Sequence, residues 1–220
     1  FFTGIATGDG SGLTGVASTD NIRTNTNATF LQNINVGVAI TAGKLGIGFT
    51  DDQVKIGNNA LDSLTTGTDN TACGDNALTA TTTGSNNTAV GYVAMTSNTT
   101  GNNNVAVGYA VLDANTTGEN NTAVGSAAAS AITTGSSNTA VGRQSLDANT
   151  TGSDNTAIGK GALTSNTTAS FNTAVGNDAL RDCTTNTNNV AMGVNAALTA
   201  TGEQNVAIGN NTFRGPSNSG

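Results

Sequence analysis

A glycine recurs every 17 residues through the last three quarters of this 220-residue chain, each time at the end of a short apolar stretch. This first glycine column comprises Gly57, Gly74, Gly91, Gly108, Gly125, Gly142, Gly159, Gly176 and Gly193, and Gly209 follows after 16 residues. A fixed period of this length predicts a repeat architecture, in which each unit buries its apolar face by stacking on its neighbours. The repeat therefore favours a structural or binding protein over an enzyme.

Two apolar columns predict how one repeat folds. The residues before the glycine alternate, as in Asn87–Gly91, which indicates a short strand. One apolar column lies directly before the glycine and a second lies four residues after it. We expect both to face the interior of an all-β parallel β-solenoid (β-roll), with two short strands and two turns per rung and two parallel sheets. The predicted core is Val90, Val107, Val124, Val141, Ile158, Val175, Leu78, Leu112, Leu146, Leu163 and Leu180.

The position two before the glycine is almost always alanine. Strand alternation would direct this column away from the valines. Uniformly small side chains suggest a close approach by another backbone, so the column predicts a subunit interface, most naturally in a homotrimer. The alternative is that alanine simply suits the entry to a tight turn. The column is Ala72, Ala89, Ala106, Ala123, Ala140, Ala157, Ala174, Ala191 and Ala207.

Two further columns predict the turns. Asparagine lies four residues before the glycine from Asn70 to Asn205, and asparagines at rung spacing can form a hydrogen-bonded ladder. A second glycine column follows the Thr-Thr pairs and fits a turn residue with positive φ. It comprises Gly67, Gly84, Gly101, Gly118, Gly135 and Gly152.

The unit Asn-Thr-Ala-Val-Gly-x-x-Ala-Leu-x-x-Asn-Thr-Thr-Gly, over about residues 53–213, resembles the head repeats of trimeric autotransporter adhesins, the YadA-like family, and related phage and surface fibre repeats. The resemblance implies a left-handed roll and a trimer. Residues 9–16 and 20–31 look like segments common in tail or virion fibres of marine phages. We therefore expect a non-repeat connector at 1–50 and a repeat rod at 51–220. The start at Phe1 suggests an interior or processed fragment without a signal peptide.

Composition argues against several functions. Charged residues make up 10% of the chain, the net charge is −7, and the bases are scattered, so no basic stripe for nucleic acid is expected. No apolar run approaches the length of a membrane span. The absence of histidine removes histidine-based catalysis and metal binding, and we expect no enzyme activity, metal or cofactor. Cys73 and Cys183 lie too many rungs apart for an intrachain disulfide, and Cys73 is expected to be a small core residue.

The residue after the first-column glycine varies from repeat to repeat, which indicates exposure. Tyr92, Tyr109, Arg143 and Lys160 are therefore candidate contacts for a host receptor or glycan, the alternative being ordinary surface variation.

The favoured function is a trimeric fibre segment of a phage tail or virion. It would be a stiff spacer that contributes to host attachment, with its own copies and other fibre or virion proteins as partners. The expected location is the virion fibre, the extracellular space or a cell surface. The alternative is a bacterial surface trimeric adhesin head that binds a host glycan or protein. An ice-binding solenoid is disfavoured because paired threonines such as Thr99 and Thr100 are adjacent, so strand geometry would point them to opposite faces.

Overall fold

The computed structural model describes residues 53–199 and 202–213, which form a parallel β-solenoid of about nine rungs. The strands are β1 (Val54–Ile56), β2 (Thr71–Cys73), β3 (Thr88–Val90), β4 (Val105–Val107), β5 (Thr122–Val124), β6 (Thr139–Val141), β7 (Thr156–Ile158), β8 (Thr173–Val175), β9 (Val190–Met192) and β10 (Val206–Ile208). They form one sheet in sequence order, with every neighbouring pair parallel. No helix occurs within the described ranges. The predicted connector at 1–50 lies outside the described residues.

Backbone hydrogen bonds join each rung to the next on all sides of the solenoid. In the strands, the Thr71 amide donates to the Asn87 carbonyl at 2.8 Å. In the turns, the Leu78 amide donates to the Ala94 carbonyl at 3.1 Å. Because a buried backbone amide or carbonyl without a partner is costly, this ladder makes the narrow interior possible.

The asparagine column forms the predicted ladder. The backbone amide of Asn104 donates to Asn87 Oδ1 at 3.0 Å, and Asn104 Nδ2 donates to the same oxygen at 3.1 Å and to the Gly118 carbonyl at 2.9 Å. These side chains are buried, with at most 1% exposed from Asn70 to Asn189. From Asn70 to Asn172, each one therefore connects the strand of its own rung to the turn of the next.

The direction of the strand side chains is the reverse of the prediction. The alanine column points inward and is at most 3% exposed, so these side chains are not available to a partner chain. The column directly before the glycine points outward, so the expectation that it forms the core is wrong. The corrected core alanines are Ala72, Ala89, Ala106, Ala123, Ala140, Ala157, Ala174, Ala191 and Ala207. The exposed residues are Val90, Val107, Val124, Val141 and Ile158, while Val175 and Cys73 are half-buried.

The physical reason is the width of the interior. The leucine column is buried as expected, with Leu78, Leu112, Leu146, Leu163 and Leu180 each 0% exposed. A second small column, typically alanine as at Ala94, lies beside it and is also fully buried. A rung this short leaves room for one large side chain, so the strand facing the leucines contributes only a methyl group.

The side opposite the sheet is built from turns, so the prediction of a second sheet is wrong. After the first-column glycine, alternate residues have positive φ, as at Asn76 (60°) and Leu78 (52°). The left-handed conformation costs a non-glycine residue about 1–3 kcal/mol. Burial of the leucine side chain contributes about 1.5–3 kcal/mol, which offsets that cost.

The two glycine columns are required for different reasons. Gly142 has φ +133°, and a Cβ there would lie 2.6 Å from the carbonyl carbon of Gly159. Gly101 does not have positive φ, so the turn reason given for the second column is wrong. A Cβ on Gly101 would lie 2.4 Å from the Gly118 carbonyl oxygen, so close approach of the next rung excludes a side chain there.

Gly142→Ala should destabilise the solenoid by about 3 kcal/mol or more, because backbone strain and a backbone clash act together. Gly202→Ala is the matched control: it keeps a φ of +123°, but among the described residues its Cβ would meet no atom closer than 3.6 Å. Urea denaturation followed by circular dichroism measures both. Equal losses of stability in Gly142→Ala and Gly202→Ala would contradict a destabilising contribution from the clash with the next rung.

Ala106→Val should cost about 1–3 kcal/mol, because the interior has no space for two more methyl groups. Val107→Thr, on the adjacent outward position, should change stability by less than about 0.5 kcal/mol. The same denaturation measurement ranks the two variants. A larger loss of stability for Val107→Thr than for Ala106→Val would mean that the valine column faces the interior.

Candidate interaction surfaces

The outer sheet face consists of two columns of outward side chains on β1 to β10. One column lies directly before the first-column glycine, and the other lies two residues earlier and is threonine or valine. Exposed fractions include 36% at Val90, 40% at Ile158 and 43% at Met192. The strand register aligns the columns, pairing Thr122 with Thr139 and Val124 with Val141. The result is a continuous surface of mostly β-branched side chains, which have few rotamers.

No charged residue occurs in either column of the outer sheet face from Val54 to Ile208. At about 4.8 Å per strand the ten strands extend for about 43 Å, and a three-residue strand is roughly 10 Å wide. The outline is therefore roughly 400 Å², similar to the largest apolar patch of a typical monomer, which is often functional. Depletion of charge is also typical of the centre of protein interfaces.

The corner column is the set of residues that follow the first-column glycines, at the corner where the sheet ends. Its members are Asn58, Asp75, Tyr92, Tyr109, Ser126, Arg143, Lys160, Asn177, Val194 and Asn210. The Tyr92 and Tyr109 rings stack with centroids 5.8 Å apart and planes 13° apart, and are 52% and 59% exposed. Arg143 and Lys160 are exposed on successive rungs. The four predicted contacts thus lie on one line, in two pairs separated by Ser126.

The backbone holds the corner column in register. The Ala110 amide donates to the Tyr92 carbonyl at 3.1 Å, and the Ala127 amide donates to the Tyr109 carbonyl at 2.9 Å. The side chains themselves take no part in the core. Residue type at this corner can therefore change without loss of the backbone ladder, although Asp75 and Asn177 each add a side-chain hydrogen bond to the preceding rung.

The paired threonines do not form a two-column array. In the first of each pair the hydroxyl donates to the next rung, as from Thr99 Oγ1 to the Thr116 carbonyl at 3.0 Å. The second of each pair, such as Thr100, is exposed. The two threonines of a pair therefore do not form a flat surface suited to ice binding.

Sequence reasoning missed Phe171, which is 59% exposed with φ 60°. Other rungs carry mainly asparagine or aspartate at this position, such as Asn86 and Asp154, and those types tolerate positive φ better. The signal was an aromatic residue in a column of short polar ones. It lies five residues before Gly176, on a ridge separate from the corner column.

The other irregularities are interruptions of side-chain ladders. Asn115 Nδ2 donates to Asn98 Oδ1 at 2.9 Å, but Asn115 Oδ1 has no partner because the next rung carries Ile132.

Desolvation by burial raises the pKa of the Cys183 thiol. Cys73 and Cys183 are both free.

Asp113, Ser130 and Asp147 occupy the same position in three successive rungs. Asp113 Oδ1 is buried without a hydrogen bond. The Ser130 hydroxyl donates to Asp147 Oδ1. Burial raises the pKa of Asp113, its own backbone hydrogen bond lowers it, and the charge of Asp147 raises it further.

Within residues 53–199 and 202–213, no group of histidine, cysteine, aspartate and glutamate side chains is arranged to hold a metal ion. The same ranges contain no helix that could span a bilayer. Neither a protein-family model, nor a curated protein, nor a solved structure matches the chain. Its function is therefore argued from the outer sheet face and the corner column.

Asp113→Asn should stabilise the chain at pH 7 by less than about 1 kcal/mol, since the carboxylate is only partly buried. The folded pKa lies above the unfolded value of 3.8, so the folded chain holds the proton more tightly. The free energy of unfolding therefore falls as pH rises through that interval, and the variant should lose this fall. Melting temperatures between pH 3 and pH 7 measure it, with the exposed Asp154→Asn as control. A gain confined to low pH would contradict the prediction.

Proposed function

We propose that the chain is a structural segment of a trimeric fibre, of the kind found in phage tails or virions, and acts as a stiff spacer contributing to host attachment. The single observation that carries the proposal is the uncharged, exposed outer sheet face, which runs in register over all ten strands. An uncharged face of this size on a protein surface is often functional.

Repetition suits the chain to a spacer. Each rung repeats the same contacts with its neighbours, so length grows with the number of rungs while the cross-section stays constant. Because the rungs are alike, every copy of the chain also presents the same outer sheet face with the same spacing between strands. Copies lying side by side in register can then match valine with valine along the whole face.

The proposed interface differs from the one predicted from sequence. The alanine column is used inside the chain, so the association proposed here uses Val90, Val107, Val124, Val141 and Ile158 with the adjacent threonine column. The number of copies, three, and the left-handed coil come from the resemblance to trimeric adhesin heads and fibre repeats.

The double variant Val124→Lys/Val141→Lys should convert the trimer to monomers, because it places two charges per chain in a closely packed, water-excluded centre. Multi-angle light scattering on the 21.6 kDa chain measures the change as a roughly threefold loss of mass. Thr100→Lys/Thr117→Lys, at exposed positions away from the sheet, is the matched control and should remain trimeric. A wild-type chain that is monomeric at every concentration tested would overturn the proposal.

The second candidate function is an adhesin head that itself binds a host glycan or protein. The exposed Tyr92–Tyr109 stack favours this function, because aromatic side chains on a surface are common anchors for ligands.

A further inference from the structure

The aromatic stack of the corner column ends at a small side chain. Tyr92 covers one face of the Tyr109 ring, and the other face is directed toward the next rung, which carries Ser126. One rung step is about 4.8 Å, and atoms in contact with a ring lie about 3.5–4 Å from it. The rung of Ser126 therefore leaves a gap in which one flat ligand ring can lie against Tyr109.

Two unpaired cations lie beyond this gap. Arg143 and Lys160 are exposed, and neither side chain makes a hydrogen bond or ion pair; the ion pair within 53–199 and 202–213 joins Arg181 and Asp182. Asp75 precedes the stack at the opposite end of the column. Within the corner column, positive charge is thus confined to the side of the gap away from Tyr92.

We propose that the corner column from Tyr92 to Lys160 binds a carboxylated oligosaccharide lying along the solenoid axis. The apolar face of one sugar ring stacks on Tyr109 above Ser126. The carboxylates of neighbouring sugars reach Arg143, whose guanidinium can donate two parallel hydrogen bonds to one of them, and Lys160.

The backbone favours a sugar over an acidic peptide. An extended peptide gains affinity by adding main-chain hydrogen bonds to a free sheet edge. At this corner the carbonyls are already used between rungs, as where the Gln144 amide donates to the Ser126 carbonyl at 3.0 Å. The surface therefore offers ring faces and charges but no strand edge.

The inference rests on the proposed function only because it gives the fibre a ligand for attachment. The binding strip, which is the corner column from Tyr92 to Lys160, belongs to one chain and does not need a second copy. Isothermal titration of the full chain with tetragalacturonate, cellotetraose and hexaglutamate tests it. Tetragalacturonate should bind at least about tenfold more tightly than the other two, and more weakly at high salt. Equal binding of cellotetraose or hexaglutamate would overturn the combination of ring and charge.

Three variants test the strip itself. Tyr109→Ala and Arg143→Ala should each weaken tetragalacturonate binding by about tenfold. Ser126→Tyr should also weaken it about tenfold, although it adds an aromatic ring, because the new ring would stack on Tyr109 and fill the gap. The matched control is Val194→Tyr, which adds the same side chain to the corner column beyond Lys160 and should change nothing. Unchanged or tighter binding by Ser126→Tyr would overturn the proposed gap.

Failure of this inference can be told apart from failure of the fibre proposal. The Val124→Lys/Val141→Lys variant should bind tetragalacturonate no more weakly than the wild type does, since its changes lie on the sheet and not in the corner column and its added cations attract the anionic ligand. If the wild-type chain binds tetragalacturonate as a monomer, the binding inference stands and the fibre proposal is overturned. If it is a trimer that does not bind, the fibre proposal stands and the binding inference is overturned. Loss of binding in this variant would mean that the strip is incomplete within one chain, contrary to the inference.

Discussion

The hydrogen-bonded ladder between rungs is the constraint on which every other feature of this protein depends. Strands, turns and asparagine side chains all take part in it: the Asn121 backbone amide donates to Asn104 Oδ1 at 2.9 Å, and Asn121 Nδ2 donates to the Gly135 carbonyl at 2.9 Å. These bonds require each residue type to recur in the same place. Glycines follow from the same constraint, because side chains would collide with the next rung at both columns.

A narrow interior is the first consequence, and an apolar exterior is the second. A thin rung accommodates the leucine column with alanines around it, so the strand's larger residues must point outward. Val107 and its equivalents then form an exposed uncharged face. The same geometry that closes the core of one chain thus leaves the larger side chains of each strand exposed, and the buried core and the outer sheet face are two results of one strand pattern.

The repeat period, the stacked parallel strands, the leucine core and the asparagine ladder could all be predicted from sequence, because each depends on spacing along the chain. The direction of the strand could not. Alternation separates Ala106 from Val107, but only the width of the interior decides which one is enclosed, and hydrophobicity alone favours the wrong choice. The left-handed turns were missed for a similar reason: Leu78 adopts positive φ because tertiary packing outweighs its local preference. Exposure of Tyr92 and Tyr109 followed correctly from their variability.

Variation at the corner column has a structural explanation that also bears on function. Alanine, asparagine and glycine positions are each fixed by a contact with the next rung or the core, whereas the corner residue contributes its backbone to the ladder. Its side chain lies outside the core and, except at Asp75 and Asn177, makes no hydrogen bond to another rung. A change there leaves the free energy of folding nearly unaltered, as is usual for surface positions away from packing and capping. New binding chemistry can therefore be placed on the corner one rung at a time, and adjacent rungs bring equivalent side chains within stacking distance, as with Tyr92 and Tyr109 at 5.8 Å. Substitutions on adjacent rungs can thus build an extended surface along the solenoid, one side chain per rung.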